Sequence, residues 1–303
     1  MSGGDLSRSP FSPFIFWIVR IMRIALIGPP GSGKSTIASL LSSENNVPRF
    51  SCGDFIRGAN DKYPWVKSII GDYDVNSGKL ADPLAVCEIM FKAIDLELAQ
   101  TTQNSKPLSY ILDGSPRTGY EAERYLSLPT HVAPSLYVIF STDSEVCIAR
   151  LSTRYLHRPS GRTYNAKCPP KVHMVDDVTG EPLEVRGDDD PDRIQVRLDQ
   201  YKELTYEAIY QILSRVNTST SSAINSNFDV LEINDDGSMP PREISVHISR
   251  LSRLSKELEV LRRMYVGHWF IRMYIKDGLA TYKVTSIQKT IRDLPLLNPL
   301  DAL

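Results

Sequence analysis

The stretch Gly28-Pro-Pro-Gly-Ser-Gly-Lys34-Ser35-Thr36 limits what this chain can fold into more than any other feature. It reads G-x-x-x-x-G-K-[ST], the pattern of a phosphate-binding loop. Before it lies Arg23-Ile-Ala-Leu-Ile-Gly28, an apolar run that reads as a buried strand. After it, Ile37, Leu40 and Leu41 recur at helical spacing. A strand feeding a glycine-rich turn into a helix is the context that gives the pattern meaning. Glycines let the backbone bend close to anionic oxygens, and the amides at the helix start point at them. Lys34 adds positive charge near the outer phosphates. A chance match in a polar Gly/Ser loop would lack both flanks. The loop therefore implies a bound nucleotide, and the reaction must be read from the rest of the chain.

Composition narrows the setting. The 303 residues are 42% hydrophobic and 23% charged, ordinary for one large globular domain or two smaller ones. A net charge of −1 supplies no general basic field for nucleic acid or an anionic membrane. Cys52, Cys87, Cys147 and Cys168 stand apart with no C-x-x-C pair, which argues against a zinc site or disulfide framework and for a reducing compartment. The apolar run Phe14-Ile-Phe-Trp-Ile-Val19 is too short to span a bilayer and lacks the flanks of a secretory signal. Residues 1–21 read equally well as a plain extension or as a mitochondrial-type leader with sparse arginines. A soluble, cytoplasmic protein is the expectation, with a mitochondrial location the alternative.

Apolar runs and turns alternate along the chain. Phe50-Ser-Cys-Gly53-Asp54 turns from a strand end into a helix, with Asp54 favourable at the helix start. Asn76-Ser-Gly-Lys79-Leu80 is a further turn, and Pro83 opens a helix with Leu84, Cys87, Ile89, Met90, Phe91, Ile94 and Leu98 on its apolar face. Gln100–Pro107 reads as a polar loop. Ser109-Tyr-Ile-Leu-Asp113 and Ser135–Phe140 read as buried strands, each followed by a helix. From Tyr155 to Asp190, prolines, glycines and short β-like pieces (Gly161–Tyr164, Val185-Arg186) suggest an inserted subdomain. Helical periodicity resumes from Pro191 to about Val216, residues 217–227 read as a loop, and Phe228–Ile233 as a last strand. A helix after Pro240-Pro241 carries Ile244, Ile248, Leu251, Leu254, Leu258 and Leu261. Trp269–Ile275 and Leu279–Val284 around Lys276-Asp-Gly278 give a hairpin signal, and the tail from Pro295 reads as disordered. The fold class is α/β: a parallel sheet flanked by helices, with an inserted, mostly β lid. Sites in such sheets lie at the carboxyl ends of the strands, so the phosphate loop, the Asp54 turn and the Asp113 turn should share one cleft.

Arg57, Arg117, Arg150, Arg154, Arg186 and Arg197 stand next to turns in that arrangement. Guanidinium groups bind phosphate bidentately and stay charged, which suits transfer between two nucleotides better than hydrolysis. Any one of them alone reads more readily as a solvated surface charge; the set carries the inference. Magnesium keeps most of its waters and takes few carboxylates, leaving Asp113 and then Asp54 as candidates to hold those waters.

With these residues in view, Met22 to about Leu254 resembles the long-lid form of the adenylate kinase family, a P-loop NTPase-type fold. The motifs that carry the resemblance are Gly28–Thr36, Ser51-Cys-Gly-Asp54 with Arg57, Gly78-Lys-Leu80, Asp113-Gly-Ser-Pro-Arg117-Thr118, His157-Arg-Pro-Ser160-Gly-Arg-Thr-Tyr164, Asp176-Asp-Val-Thr179-Gly-Glu, and Arg186-Gly-Asp-Asp-Asp-Pro with Arg197 beyond. The resemblance implies a domain over residues 22–254, with a helical monophosphate-binding region near 51–85 and a lid near 154–190. Residues 1–21 and 255–303 fall outside it as extensions.

The resemblance also implies roles. Lys34, Arg117, Arg154, Arg186 and Arg197 would be catalytic. ATP would lie on Gly31, Ser32, Gly33, Lys34, Ser35, Thr36, Arg150, Arg154, Thr163 and Tyr164. AMP would lie among Cys52, Arg57, Lys79, Leu80, Ala81, Gly114, Ser115, Pro116, Arg117, Glu121, Arg186 and Arg197. His157, Ser160, Asp176 and Thr179 would form a polar lid network in place of the zinc of some members. The cofactor implied is Mg²⁺ with ATP, bound through the nucleotide and its waters with no direct protein ligand. The protein is expected to act as a monomer, without nucleic acid or membrane, and its C-terminal extension to be free to bind another protein.

Departures from the family's pattern bear on the acceptor. Cys52 stands where Thr is usual, Glu121 where Gln is usual, Ser115 for Phe and Ser35 for Gly. Glutamate accepts from an exocyclic amine but cannot donate as the amide does. The implied reaction is ATP + AMP giving two ADP. A GTP:AMP phosphotransferase or another nucleoside monophosphate kinase is the alternative within the class. A nucleotide-sensing scaffold is the alternative outside it, against which the intact Lys34 and arginines speak.

Overall fold

The computed structural model describes residues 21–59, 61–74, 77, 79–104, 106–187, 189–218, 228–236, 238–249, 252, 269–276 and 279–286. The expectations for residues 1–20, for the 217–227 loop beyond residue 218, for Leu251, Leu254, Leu258 and Leu261, and for the tail from Pro295 lie outside the described residues.

The strands are β1 (Arg23–Ile27), β2 (Arg49–Phe50), β3 (Tyr110–Asp113), β4 (Leu136–Thr142), β5 (Tyr155–His157), β6 (Arg162–Tyr164), β7 (Asp229–Asp235), β8 (Trp269–Lys276) and β9 (Leu279–Ser286). The helices are α1 (Lys34–Asn45), α2 (Cys52–Arg57), α3 (Pro64–Ile70), α4 (Pro83–Gln103), α5 (Gly119–Leu126), α6 (Ser144–Leu151), α7 (Pro191–Gln200) and α8 (Tyr206–Thr218). A ninth helix, α9, covers 241–249. One sheet runs in the order β2-β3-β1-β4-β7-β8-β9. It is parallel from β2 through β8, and β9 closes it antiparallel. A fully buried strand needs apolar residues at every position, and β1 meets this with all five residues buried.

Alternation along β1 sorts its side chains between two cores. Ala25 and Ile27 face a core closed by α4, α5 and α8 through Met90, Ile94, Ala122 and Ile212. Ile24 and Leu26 face a second core closed by α1 and α9 through Ile37, Leu41, Ile244 and Ile248. Helices thus cover both faces of a parallel sheet, as its crossover connections require.

Three local readings need correction. Helix α4 runs on to Gln103, into the stretch expected to be a loop, because the Thr101 and Thr102 hydroxyls bond back to the Glu97 and Leu98 carbonyls and keep the last turn wound. The helix expected from Pro191 to about Val216 contains a π-helical turn, Tyr201–Thr205, between α7 and α8. This turn widens the helix where the Thr205 hydroxyl reaches the Arg117 carbonyl at 2.9 Å. In the lid, Val185-Arg186 is not a strand; pairing with Leu156 is made one residue earlier, at Glu184.

The segments expected to form a hairpin pair as β8 and β9, and β8 joins the sheet parallel to β7. A lone hairpin is marginal in water. Here Met273 and Ile275 are buried in the α1/α9 core, which supplies the apolar surface a hairpin lacks by itself.

Candidate active site

One cavity of about 1000 Å³ opens at the carboxyl ends of β1, β3 and β7. Single small-molecule sites run from roughly 300 to 1,000 Å³, so this one lies at the upper limit. The phosphate loop forms its floor. Gly31 has φ +84°, and a Cβ there would come within 2.6 Å of the Cys147 carbonyl oxygen, so only glycine fits. The loop backbone is thereby drawn against α6 and its amides run into the start of α1.

Lys34 Nζ donates to the Pro29 carbonyl at 2.9 Å, which curls the side chain back over the loop. Burial, then the charge of Arg117, pushes its ammonium down to about 7; Asp113 pulls the other way. A polyphosphate beside Lys34 favours the charged form and raises that value again. Above pH 7 the complex then holds more protons than its separate parts, so affinity falls as pH rises. Calorimetry of ATP binding at pH 8, in two buffers of different ionisation enthalpy, is expected to show uptake of roughly one proton. Zero uptake would contradict the placement of Lys34 at the phosphates.

Asp113 ends β3 and is buried. Its Oδ1 accepts the Ser35 hydroxyl at 3.0 Å, and its Oδ2 accepts Nε and Nη2 of Arg49 at 3.0 and 2.7 Å. The same Nη2 lies 2.8 Å from Asp54 Oδ2, while Arg57 bonds the other oxygen of Asp54. Burial works against the Asp54 anion, but Arg49 and Arg57 hold the carboxyl below its usual range. Asp54 reaches this position because Ser51 caps α2, its side chain accepting from the Asp54 amide. The Ser35 hydroxyl and the two carboxylates are hard oxygen donors that fit a hydrated magnesium ion held through its waters. Among the described residues, no group of three or more His, Cys, Asp or Glu side chains is placed to hold a metal ion.

On the opposite wall, Gly114 has φ +70°, and a Cβ there would lie 3.1 Å from Arg117 Nη2 and 3.2 Å from Lys34 Cε. Glycine is what lets Arg117 and Lys34 approach one another. Arg117 Nε donates to the Gly114 carbonyl at 2.6 Å. Cys52, Arg57, Lys79, Leu80, Ala81, Gly114, Pro116 and Glu121 line this part of the cavity. Burial raises the Cys52 thiol to about 12, so it is a neutral wall group rather than a nucleophile.

Burial also raises the Glu121 carboxyl, against the pull of Arg117. Glu121 Oε2 accepts the Ser115 hydroxyl at 3.0 Å and the Arg117 amide at 3.1 Å, and Oε1 accepts the Thr118 hydroxyl at 3.3 Å. Ser115 itself does not line the cavity. Its small side chain turns into the core toward Tyr125 and Glu121, so it supports the wall from behind.

The lid lies across the loop. Thr163 Oγ1 is 3.1 Å from Thr36 Oγ1. Arg154 makes a two-pronged pair with Asp189 at 2.7 and 2.6 Å, and Arg197 Nη1 reaches the same carboxylate at 3.0 Å. Arg150 bonds Asp235 at 3.1 Å and the Gly31 carbonyl at 3.3 Å. Arg186 joins these arginines on the cavity wall.

Tyr164, expected at the triphosphate, does not line the cavity. Its strand turns the ring outward and its hydroxyl donates to Asp176 at 2.9 Å. His157, Ser160, Asp176 and Thr179 do come together. His157 Nδ1 lies 2.6 Å from Ser160 Oγ, its Nε2 lies 3.3 Å from Thr179 Oγ1, and the Thr179 hydroxyl donates to Asp176 at 3.0 Å. Arg162 and Glu181 complete the group: Arg162 forks onto Asp176 at 2.8 and 2.6 Å, and Glu181 lies 2.7 Å from His157 Nε2. The Arg162 fork holds the Asp176 carboxyl far below the usual range despite burial.

Arg49, Asp189, Asp235, Arg162 and Glu181 are not among the expected site residues, although Arg162, Glu181 and Asp189 stand inside motifs named above. Arg162 sits inside a recognised motif and pairs locally, so its fork was within reach of sequence reasoning. Arg49 precedes Asp54 by five residues on a two-residue strand, which gives little signal. Asp235 acquires meaning only from Arg150, 85 residues away, and Asp189 chiefly from Arg154, 35 residues away.

Comparison with known proteins agrees with this geometry. A family model described as "Adenylate kinase" matches residues 26–214. A protein named "Adenylate kinase" from Francisella tularensis subsp. holarctica (strain OSU18) is 34% identical over 211 residues, covering 69% of this chain and 92% of the relative. One of the same name from Blochmanniella floridana is 32% identical over 217 residues, with the same coverage. With its glycine-rich loop, paired arginine walls and polar lid in this order, the chain belongs to the adenylate kinase family.

Proposed function

We propose that this protein transfers the terminal phosphoryl group of ATP to AMP, reversibly, giving two ADP. The observation that carries the reading is the convergence of Lys34 with Arg57, Arg117, Arg150, Arg154, Arg186 and Arg197 on one cavity of about 1000 Å³. A hydrolase needs one phosphate site and a water; here cationic groups line both ends.

The triphosphate lies on the Gly28–Thr36 amides, with Lys34 at the outer phosphates. Arg150 faces the donor base. AMP lies against Cys52, Lys79, Leu80, Ala81 and Glu121, its phosphate held by Arg57 and Arg117. An oxygen of the AMP phosphate attacks the γ-phosphorus in line. The new P–O bond forms as the bond from that phosphorus to the bridging oxygen breaks, and the β-phosphate leaves with the electron pair. Charge spreads over the transferred group, and fixed guanidinium groups are worth most there because they need no rearrangement. Arg117, Arg154, Arg186 and Arg197 serve this purpose. The lid, seated through Thr163 on Thr36, excludes the water that would otherwise accept the group. Magnesium, when bound with the triphosphate, neutralises phosphate charge; Ser35, Asp113 and Asp54 are the residues that would hold its waters.

Turnover with each pairing of ATP or GTP with AMP, GMP, CMP or UMP tests the reading. ATP with AMP is expected to be fastest, and no turnover with any pair would overturn it. Glu121→Gln sharpens the test. As a carboxylate, Glu121 offers the cavity one remaining acceptor position and no donor, whereas an amide also donates to the ring nitrogen of adenine. The variant is expected to favour AMP over GMP and UMP by about tenfold more than the parent. An unchanged acceptor profile would mean that position 121 does not read the base.

A further inference from the structure

Arg49 is a cavity-lining cation, held by two carboxylates, to which the reaction above gives no task. It stands on β2, whose parallel register places Arg49 beside Ile111 and Phe50 beside Leu112, so its side chain reaches forward to the end of β3. There it bridges two carboxylates from separate strand ends: Asp113 through two N–H groups and Asp54 through one. Its side chain is 18% exposed. The lid passes over it, since a Cβ at Gly161 would lie 3.6 Å from Arg49 Nη1.

These carboxylates are the same two that fit the waters of a magnesium ion. Asp113 Oδ2 already accepts two guanidinium N–H groups, and its Oδ1 accepts Ser35. Asp54 accepts Arg49 on one oxygen and Arg57 on the other. Two anions thus meet two guanidinium cations, and the group has no net negative charge to attract a divalent ion. Lone pairs that would orient metal-bound water are largely taken.

We propose that Arg49 is a positioning residue that competes with the metal for Asp113 and Asp54 and so weakens whatever hold these two carboxylates have on the ion. Arg49 ties the two carboxylates to itself and would repel a divalent ion at short range. The inference rests on the donor site at Gly28–Thr36.

The test uses Mn²⁺ as the probe, with free ion followed by its paramagnetic resonance signal, in the presence of the full-length protein and ADP. Metal-free ADP binding is measured first by calorimetry. If ADP does not bind, the donor site itself is wrong and this inference falls with it. If ADP binds, the parent protein is expected to tighten Mn²⁺ on ADP by no more than about threefold; a gain well above tenfold would overturn the proposal whatever the variants do. Arg49→Gln removes the cation and keeps a polar, shorter chain that ends near the position of Arg49 Nε. It is expected to tighten Mn²⁺ by about tenfold or more, because a fixed positive charge near a divalent ion in a partly buried site is strongly unfavourable. Arg49→Lys keeps the charge and is expected to match the parent. Equal or weaker Mn²⁺ binding in Arg49→Gln would mean that Arg49 instead prepares the carboxylates for the metal.

Discussion

Lys34→Ala is expected to lower turnover by about a thousandfold or more, because it would remove the positive charge proposed to lie at the reacting phosphates. Protein stability responds in the opposite sense. Burial and the neighbouring Arg117 hold the Lys34 ammonium near 7, far under its ordinary 10.5, so the empty site is an unfavourable place for that charge. Folded protein therefore binds the Lys34 proton less tightly than unfolded protein does, and the residue works against folding at neutral pH. Alanine relieves this, and the melting temperature of Lys34→Ala is expected to equal or exceed that of the parent. A turnover loss under about tenfold, or a clear fall in melting temperature, would contradict this account of the loop.

The second large effect centres on Asp189. Its side chain is 1% exposed and holds Arg154 by two bonds and Arg197 by a third. Asparagine keeps the shape and removes the charge, leaving two guanidinium groups facing a neutral amide. Breaking a buried ion pair from one side costs about 3 kcal/mol. Asp189→Asn is expected to lose about that much in denaturant unfolding. Turnover should fall by about a hundredfold, since displacement of catalytic groups by roughly an ångström has that scale of consequence. A stability change under about 1 kcal/mol, with turnover within twofold, would show that the arginines are positioned by other contacts.

How far the sequence reveals this arrangement depends on how local each cause is. The loop at Gly28–Thr36 is legible because strand, turn and helix follow one another directly and each has its own signal. The end of α4 is not, because hydroxyls of Thr101 and Thr102 that read as loop-formers instead bond back along the helix. A π-helical turn at Tyr201–Thr205 leaves no mark in the spacing of apolar residues; it is tied to the contact from Thr205 to Arg117. The hairpin signal at Lys276–Gly278 is local, but the docking of β8 beside β7 depends on buried partners distant in the chain. Arg49 is the clearest case. Nothing near it in sequence announces a role, and only the order β2-β3-β1 brings it to Asp113. Motifs name the cavity-lining groups; several of the ion pairs that hold them join residues far apart in the chain.

The proposed site holds two nucleotides, moves a phosphoryl group between them and keeps water out. Phosphorus magnetic resonance of ATP and AMP mixed with the protein and magnesium follows every species at once. ATP and AMP are expected to decline together, with two ADP appearing for each pair consumed and no inorganic phosphate accumulating. Inorganic phosphate rising while AMP stays constant would contradict it.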